Sequence, residues 1–307
     1  MTPLTTPFHP DELVAQILSG YGALAGAPIR DQMPDQHRTF FEGLPYLFVG
    51  GLEEGGAPLA TILTGTPGFV RSPDPRILVV RALPAAVDPT APGIAVGSDI
   101  ALLGIDLATR RRNRANGTVI AKDQESFTVH IEQSFGNCPK YIQRRSVAEA
   151  TRAPGQLEAL HGLDAVARTL VSSADTFFIA SRSRSSIQEV GRVDISHRGG
   201  LPGFVSIDSD GGLIVPDYRG NRYFNTLGNL LGDPRATLLF IDFERGDLLQ
   251  LQGFVTIDWS RDSSSGSRLV ERSWHFQVSR SWRRPAAIPL KWQFIDYSTA
   301  LLRDQDR

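Results

Sequence analysis

The stretches SHRGGLPGFV (Ser196 to Val205) and GNRYFNTLGNLLGDPRATLLFID (Gly220 to Asp242) decide how this chain reads. The first joins a hydroxyl, an imidazole and a guanidinium to two glycines and then a strand. The second runs an Asn/Thr cluster into an Asp-Pro turn and a buried apolar strand. An Arg beside glycines suits a dianionic phosphate, because the guanidinium fork pairs with two oxygens and exposed backbone N–H groups take the others. Together the two segments read as a phosphate-anchored cofactor site on a β-barrel.

Outward from that core, short β-branched or aromatic segments punctuated by Gly, Pro and Asp fill most of the chain. YLFVGGL, PLATILT, RILVVRAL, DIALLGIDL and SFTVHIEQSF precede the decisive stretch; TFFIASR, LIVPDY, YFNTL, ATLLFIDF, DLLQLQGFVTI and SWHFQV surround or follow it. A helix starts at Pro10-Asp11-Glu12 with Leu13, Val14, Ile17 and Leu18 as an apolar stripe, and a second is expected near Pro34 to Glu42. GYGALAG (Gly20 to Gly26) has the wrong spacing and follows a helix, so it is a helix stop, not a dinucleotide fingerprint. A further helical stretch is predicted over Ala153 to Leu170.

The β segments repeat. PGFV at 67–70 recurs at 202–205, an offset of 135; LLGID at 102–106 recurs as LLFID at 238–242, an offset of 136. Gly117-x-Val119 likewise recurs as Gly253-x-Val255. Two blocks in step mark a duplicated unit. The expected division is a helical segment over 1–45, a first barrel-like half over 46–150, a helical linker over 151–172 and a second half over 173–307. Setting Pro67 on Pro202 puts Ile62, Leu63 and Thr64 opposite His197, Arg198 and Gly199, so only the second half keeps the polar kit. The first half becomes scaffold or the opposite wall of the site.

Composition narrows the function. The net charge is −1 over 307 residues, so no overall field draws in nucleic acid. Arg far outnumbers Lys, which occurs only at Lys122, Lys140 and Lys291; a compositional bias explains this, so only Arg in context counts. RRRNR (Arg110 to Arg114) reads as a solvated hairpin tip. The single Cys138 fits a reducing cytoplasm, and no signal peptide or bilayer-spanning run is apparent. The six histidines never fall at ligand spacing, so no metal site is expected.

The candidate site residues follow. Arg198 is the phosphate anchor, with Ser196 as a possible donor and Gly199 allowing close backbone approach. His197 points to the other face of the strand from its neighbours, which favours a structural place over a cofactor-edge or catalytic one. Asn225, Thr226 and Asn229 can bind a phosphate or the hydroxyls of a cofactor, or Asn225 or Thr226 can cap a short helix; both can hold at once. Ser181 and Arg182, from the loop ASRSRSS, are second-tier contacts. Cys138 is either a small buried hydrophobe or a thiol beside the site.

These residues resemble the FMN-binding split barrels related to pyridoxamine 5′-phosphate oxidase, in the longer bacterial form. The matching pattern is Ser196, Arg198, Gly199, Gly200 and Pro202 to Val205; then Pro216, Asp217, Gly220 and Asn221; then Asn225, Thr226, Asn229, Pro234, Arg235 and Leu238 to Phe240, with GNCPKYIQRR (Gly136 to Arg145) ahead of it. The resemblance spans roughly residues 40 to 260. It implies a mainly β fold of two tandem FMN-binding split-barrel-like halves, FMN as cofactor, and Asn221 as a further contact. Where the oxidase proper carries a Ser-Arg-Lys clamp, this chain has Leu227, Gly228 and Asn229, so vitamin B6 chemistry is not implied. The expected function is flavin redox on a small substrate, with a non-catalytic flavin or haem carrier as the alternative. A homodimer is expected, with one flavin per chain and neither nucleic acid nor membrane as partner.

Overall fold

The computed structural model describes residues 6–185, 191–260 and 269–305. It opens with α1 (Pro10–Leu18) and α2 (Asp35–Glu42). The first half runs β1 (Tyr46–Leu52), β2 (Pro58–Thr64), β3 (Val70–Asp74), β4 (Ile77–Val80), β5 (Asp99–Asp106), β6 (Arg111–Lys122) and β7 (Phe127–Gly136). Next come β8 (Arg144–Glu149), β9 (Glu158–Leu160) and α3 (Ala165–Ser173). The second half is β10 (Thr176–Arg182), β11 (Val193–Gly199), β12 (Ser206–Ile207), β13 (Leu213–Tyr218), α4 (Asn225–Gly232), β14 (Arg235–Ile241), β15 (Leu248–Asp258) and β16 (Val270–Arg284). β17 (Leu290–Asp296) and α5 (Thr299–Gln305) follow, and β17 pairs with β8.

The fold is mainly β, in two tandem barrel-like halves. The first sheet is ordered β2-β1-β5-β6-β7-β4-β3 and the second β11-β10-β14-β15-β16-β13-β12, the same order strand for strand. The register repeats too. β6 and β7 slip between Asn116 and Gly117, and β15 and β16 slip between Gln252 and Gly253. At each slip a carbonyl crowds the glycine: a Cβ on Gly117 would lie 1.9 Å from the His130 oxygen, and one on Gly253 would lie 2.1 Å from the Gln277 oxygen. The recurring Gly-x-Val is thus a bulge shared by both halves, which only glycine fits.

Strands β1, β5, β10 and β14 read as continuous apolar runs because both faces are covered. Leu47, Val49, Leu102 and Ile100 fill the first barrel; Phe177, Ile179, Leu238 and Phe240 fill the second. The alternate residues Phe48, Ala101, Leu103, Phe178, Ala180 and Leu239 form a third cluster between the barrels. At its centre Phe48 stacks on Phe178, ring centroids 3.6 Å apart. Phe48 pairs with Leu103 and Phe178 with Leu239, so the two rings hold equivalent places on a pseudo-two-fold axis.

Some expectations are corrected. The helix predicted over 153–170 is a strand, β9, on the edge of β16, followed by α3 alone. Gly162 at φ +71 breaks the stretch, and Asp164 caps α3 by accepting from the Ala167 N–H. YFNTL is the entry to α4, not a strand. RRRNR is a hairpin tip only at Arg110, which closes the turn; Arg111 to Arg114 continue as β6, with Asn113 and Arg114 buried. On α1 the apolar stripe faces outward, with Val14, Ile17 and Leu18 exposed and Asp11, Glu12, Ala15 and Gln16 buried. The reason is Gly228 and Gly232 on α4. A Cβ at Gly228 would lie 2.6 Å from the Glu12 Cα, so α1 rides directly on the glycine face of α4 and turns its polar edge toward the barrels.

Candidate functional site

A cleft lies where β11, α4 and the loop after β13 meet β6 and the segment after β7. It holds about 920 Å³ of space, open solvent at its mouth included. The walls come from both halves of one chain: Arg112, Arg114, Cys138, Lys140 and Tyr141 from the first, and Ser196, Arg198, Tyr218, Asn225 and Thr226 from the second.

Alternation on β6 builds the first wall. Arg114 Nη1 donates to Asp194 Oδ2 at 2.6 Å and Nη2 to Ser196 Oγ at 2.6 Å. Asn116 Nδ2 donates to the other Asp194 oxygen at 3.2 Å. Arg112 donates to the Cys138 carbonyl at 2.7 Å and to His197 Nδ1 at 3.2 Å. On the second wall, Ser196 Oγ and Thr226 Oγ1 are 2.8 Å apart, and Arg198 Nη1 donates to Asp217 Oδ1 at 2.5 Å. α4 begins at Phe224, in the left-handed region at φ 60, with no side chain capping its first turn. Its N–H groups and the positive end of its dipole therefore open toward Asn225 and Thr226 in the cleft.

The cations crowd one another. Arg112, Arg114, Lys140, Arg198 and Arg222 line the cleft against the carboxylates of Asp217 and Glu271. Burial, with Arg114 and Arg198 adding to it, pushes Arg112 down to about 9. Burial also lowers Arg114, with Arg198 adding to the effect and Asp194 opposing it. A guanidinium does not give up its proton in a protein, so these displacements report mainly the cost of burying the charges, to which the neighbouring cations add and which an anion in the cleft would offset. The Nε atoms of Arg112, Arg114 and Arg198 are buried without a hydrogen-bond partner. Beneath them, Glu12 of α1 accepts from Asn225 Nδ2 at 2.6 Å and from the His9 N–H at 2.9 Å.

The structure gathers Ser196, His197, Arg198, Gly199, Asn221, Asn225 and Thr226 at the cleft. Ser181 and Asn229 lie apart from it, buried against each other, with Asn229 Nδ2 donating to Ser181 Oγ at 3.1 Å. Arg182 turns toward Ser185 and Gly56, away from the cleft. Asn225 and Thr226 sit in the first turn of α4 and do not cap it. Gly199 serves the backbone: a Cβ there would lie 2.0 Å from the Tyr141 carbonyl oxygen. His197 packs edge-on to Phe178, on the side facing the first barrel. Burial, then Arg112, keeps it neutral, well below its ordinary value. Asn221 Oδ1 accepts from the Tyr223 N–H at 3.2 Å, shaping the loop.

Sequence reasoning missed Arg112, Arg114, Asn116 and Glu12. A signal for Arg114 and Asn116 was present in the repeat. An offset of 136 sets Arg114 and Asn116 opposite Gln250 and Gln252, which face the corresponding place in the first half. That place is closed. Thr61, the counterpart of Ser196, donates to Asp88 at 2.7 Å, and Gln250 donates to the same carboxylate at 3.3 Å. A buried carboxylate and neutral amides replace the guanidiniums, so an anion is excluded there.

Among the described residues no helix is long and apolar enough to cross a membrane, and no cluster of three His, Cys, Asp or Glu could hold a metal. No family model matches the chain, and no curated protein does. Several solved structures are similar to parts of it. One is a putative pyridoxamine 5′-phosphate oxidase from Lactobacillus delbrueckii, with 18% identity, TM-score 0.28, and 34% of this chain and 95% of that chain covered. The haem storage protein HutZ from Vibrio cholerae has 13% identity, TM-score 0.28, and covers 40% of this chain and 94% of its own. An FMN-binding protein from Syntrophomonas wolfei has 11% identity, TM-score 0.25, with 37% and 80% covered.

Proposed function

We propose that the chain is an FMN-binding oxidoreductase of the pyridoxamine 5′-phosphate oxidase-like class, acting on a small molecule in the cleft between its two halves. The observation that carries this reading is the convergence of Arg112 and Arg114 from one half with Arg198 and the α4 N-terminus from the other, in one cleft with unpartnered buried N–H groups. A phosphate dianion answers that charge, and a hydroxyl-bearing chain fits the neighbouring Ser196, Thr226 and Asn225. FMN suits better than a dinucleotide, because there is one such anchor and no glycine fingerprint.

The residues present fit the group. Arg114 and Arg198 would hold the phosphate, each already steered by a carboxylate, Asp194 and Asp217. Tyr141 and Tyr218, centroids 5.1 Å apart, offer an aromatic wall for a planar ring. FMN when bound supplies the electron and hydride transfer; this chain supplies anchoring, orientation and a partly dry pocket. A homodimer remains part of the proposal, but both walls of the cleft come from one chain and do not require it. The absorption spectrum of the purified protein, with heat-released cofactor run against standards, tests the reading. Flavin released as FMN, reducible by a nicotinamide and reoxidised by an acceptor, supports it. FAD or haem as the sole chromophore overturns it, and flavin that does not turn over leaves a carrier.

A further inference from the structure

Glu12 is the buried group that this reading leaves without a task. Its side chain comes from α1, a segment outside both barrels, and reaches the root of the cleft. One oxygen takes the Asn225 Nδ2–H at 2.6 Å, and the other takes the His9 N–H at 2.9 Å. The Asn225 amide spans two partners: Nδ2 faces Glu12, while Oδ1 faces Arg114 Nη1 at 3.4 Å. A single amide therefore joins a buried carboxyl to the guanidinium that stands in the cleft.

We propose that Glu12 is a positioning residue that takes up a proton when the cleft binds a phosphate, with the Asn225 amide as the link between them. The inference rests on the reading of the cleft as a phosphate site. The argument is one of donors and acceptors. With Glu12 ionised, both its oxygens accept, so Asn225 must turn its NH₂ to Glu12 and its carbonyl to Arg114. The cleft then presents an acceptor, which an anion avoids. With Glu12 protonated, its O–H needs an acceptor, and the amide supplies one by a half-turn. The same half-turn aims the NH₂ toward Arg114. Two donors facing each other are unfavourable unless an anion lies between them, where both can donate to it. Proton uptake by Glu12 and anion binding thus favour each other, and linkage makes the coupling reciprocal. No other atom is transferred; the proton comes from solvent.

The charged groups around Glu12 place this event near neutrality. Burial, as the main cause, raises its carboxyl to about 7; Asp194 on β11 adds to the rise, and Arg114 on β6 opposes it. On its own helix, Asp11 is engaged by Arg184 at 2.8 Å, and His9 offers Glu12 its N–H. α4 contributes no ionisable side chain, only Asn225 and its positive end.

The test is FMN titration of the full chain and of Glu12→Gln at about pH 6 and about pH 8.5. The ratio of the two dissociation constants cancels the titration of the phosphate itself. The wild type should nearly match the variant at the lower pH and bind up to about thirtyfold more weakly at the higher, the factor that one linked proton gives over roughly 1.5 pH units above a carboxyl at about 7. A ratio that stays constant overturns the coupling and leaves the phosphate site standing. Failure of both proteins to bind FMN at either pH overturns the reading of the cleft as well. A second measurement needs no variant: the carboxyl ¹³C resonance of Glu12 is titrated with and without inorganic phosphate. Its midpoint should rise when phosphate is present, and an unmoved midpoint at saturation overturns the inference.

Discussion

Arg114 serves both the fold and the cleft, and Arg114→Met separates the two. Its side chain is 7% exposed and that of Asp194 8%, with 2.6 Å between nitrogen and oxygen. Methionine keeps the stem but removes the charge, leaving a buried Asp194 carboxylate with the Asn116 amide donating to it. Breaking a buried pair from one side costs ~3–5 kcal/mol, mostly the penalty on the ion left behind. Against a total stability of about 5–15 kcal/mol this is a large fraction. The double variant Arg114→Met with Asp194→Asn removes both charges and should recover at least half of the loss, because neutral replacement of a buried pair is often near neutral. Urea unfolding at about pH 7 reads both numbers. The FMN affinity should fall in both variants by ~1.5–3 kcal/mol, the worth of a charged hydrogen bond. Equal stability for the single and double variants would refute the argument, as would a single-variant loss below about 1 kcal/mol.

Three further outcomes are expected. Arg198→Ala should weaken FMN binding by ~1.5–3 kcal/mol with little change in melting temperature, since Asp217 keeps Arg272 nearby at 3.7 Å; unchanged FMN affinity would remove Arg198 from the anchor. The folded-state value of Glu12, about 7 against 4.5 for the unfolded chain, means the folded protein holds the extra proton. Its stabilising effect is therefore full below about pH 4.5 and lost as pH rises through about 7, some 3 kcal/mol in all; Glu12→Gln should flatten that part of the stability profile, measured by denaturant midpoints. Gly253→Ala puts a methyl against the Gln277 carbonyl at 2.1 Å and should cost ~1–3 kcal/mol, visible as a lowered melting temperature; full stability would mean the bulge is not needed.

The barrels were legible because their signals are local. Continuous apolar runs mark strands covered on both faces, and the Gly-x-Val bulge recurs in both halves because a carbonyl sits where any Cβ would go. Arg198 and Asn225 could be picked out beside the glycines and the Asn/Thr cluster. Arg112 could not, and Arg114 only through its repeat partner Gln250, because alternating arginines on a strand look the same in sequence whether they face solvent or a facing barrel. The stripe on α1 misled for a related reason. Periodicity says which residues share a face, but it takes Gly228 and Gly232, more than two hundred residues away, to decide that the polar face goes inward. Gly199 was noticed for the right property, a close approach, but what approaches is the Tyr141 backbone.

The stack of Phe48 on Phe178 has a consequence for how the protein behaves on dilution. In a pair of separate subunits such a contact comes apart at low concentration, and anything held between the partners escapes with it. Here the two rings belong to one covalent chain, so their encounter is intramolecular and independent of the amount of protein present. Whatever occupies the cleft can leave only through its mouth, beside Lys140 and Arg222, and its residence time should be the same in a scarce protein as in an abundant one. Two halves in one chain also need not mirror each other. A substitution now falls on one barrel alone, which is how Asp88 could seal one cleft without sealing both.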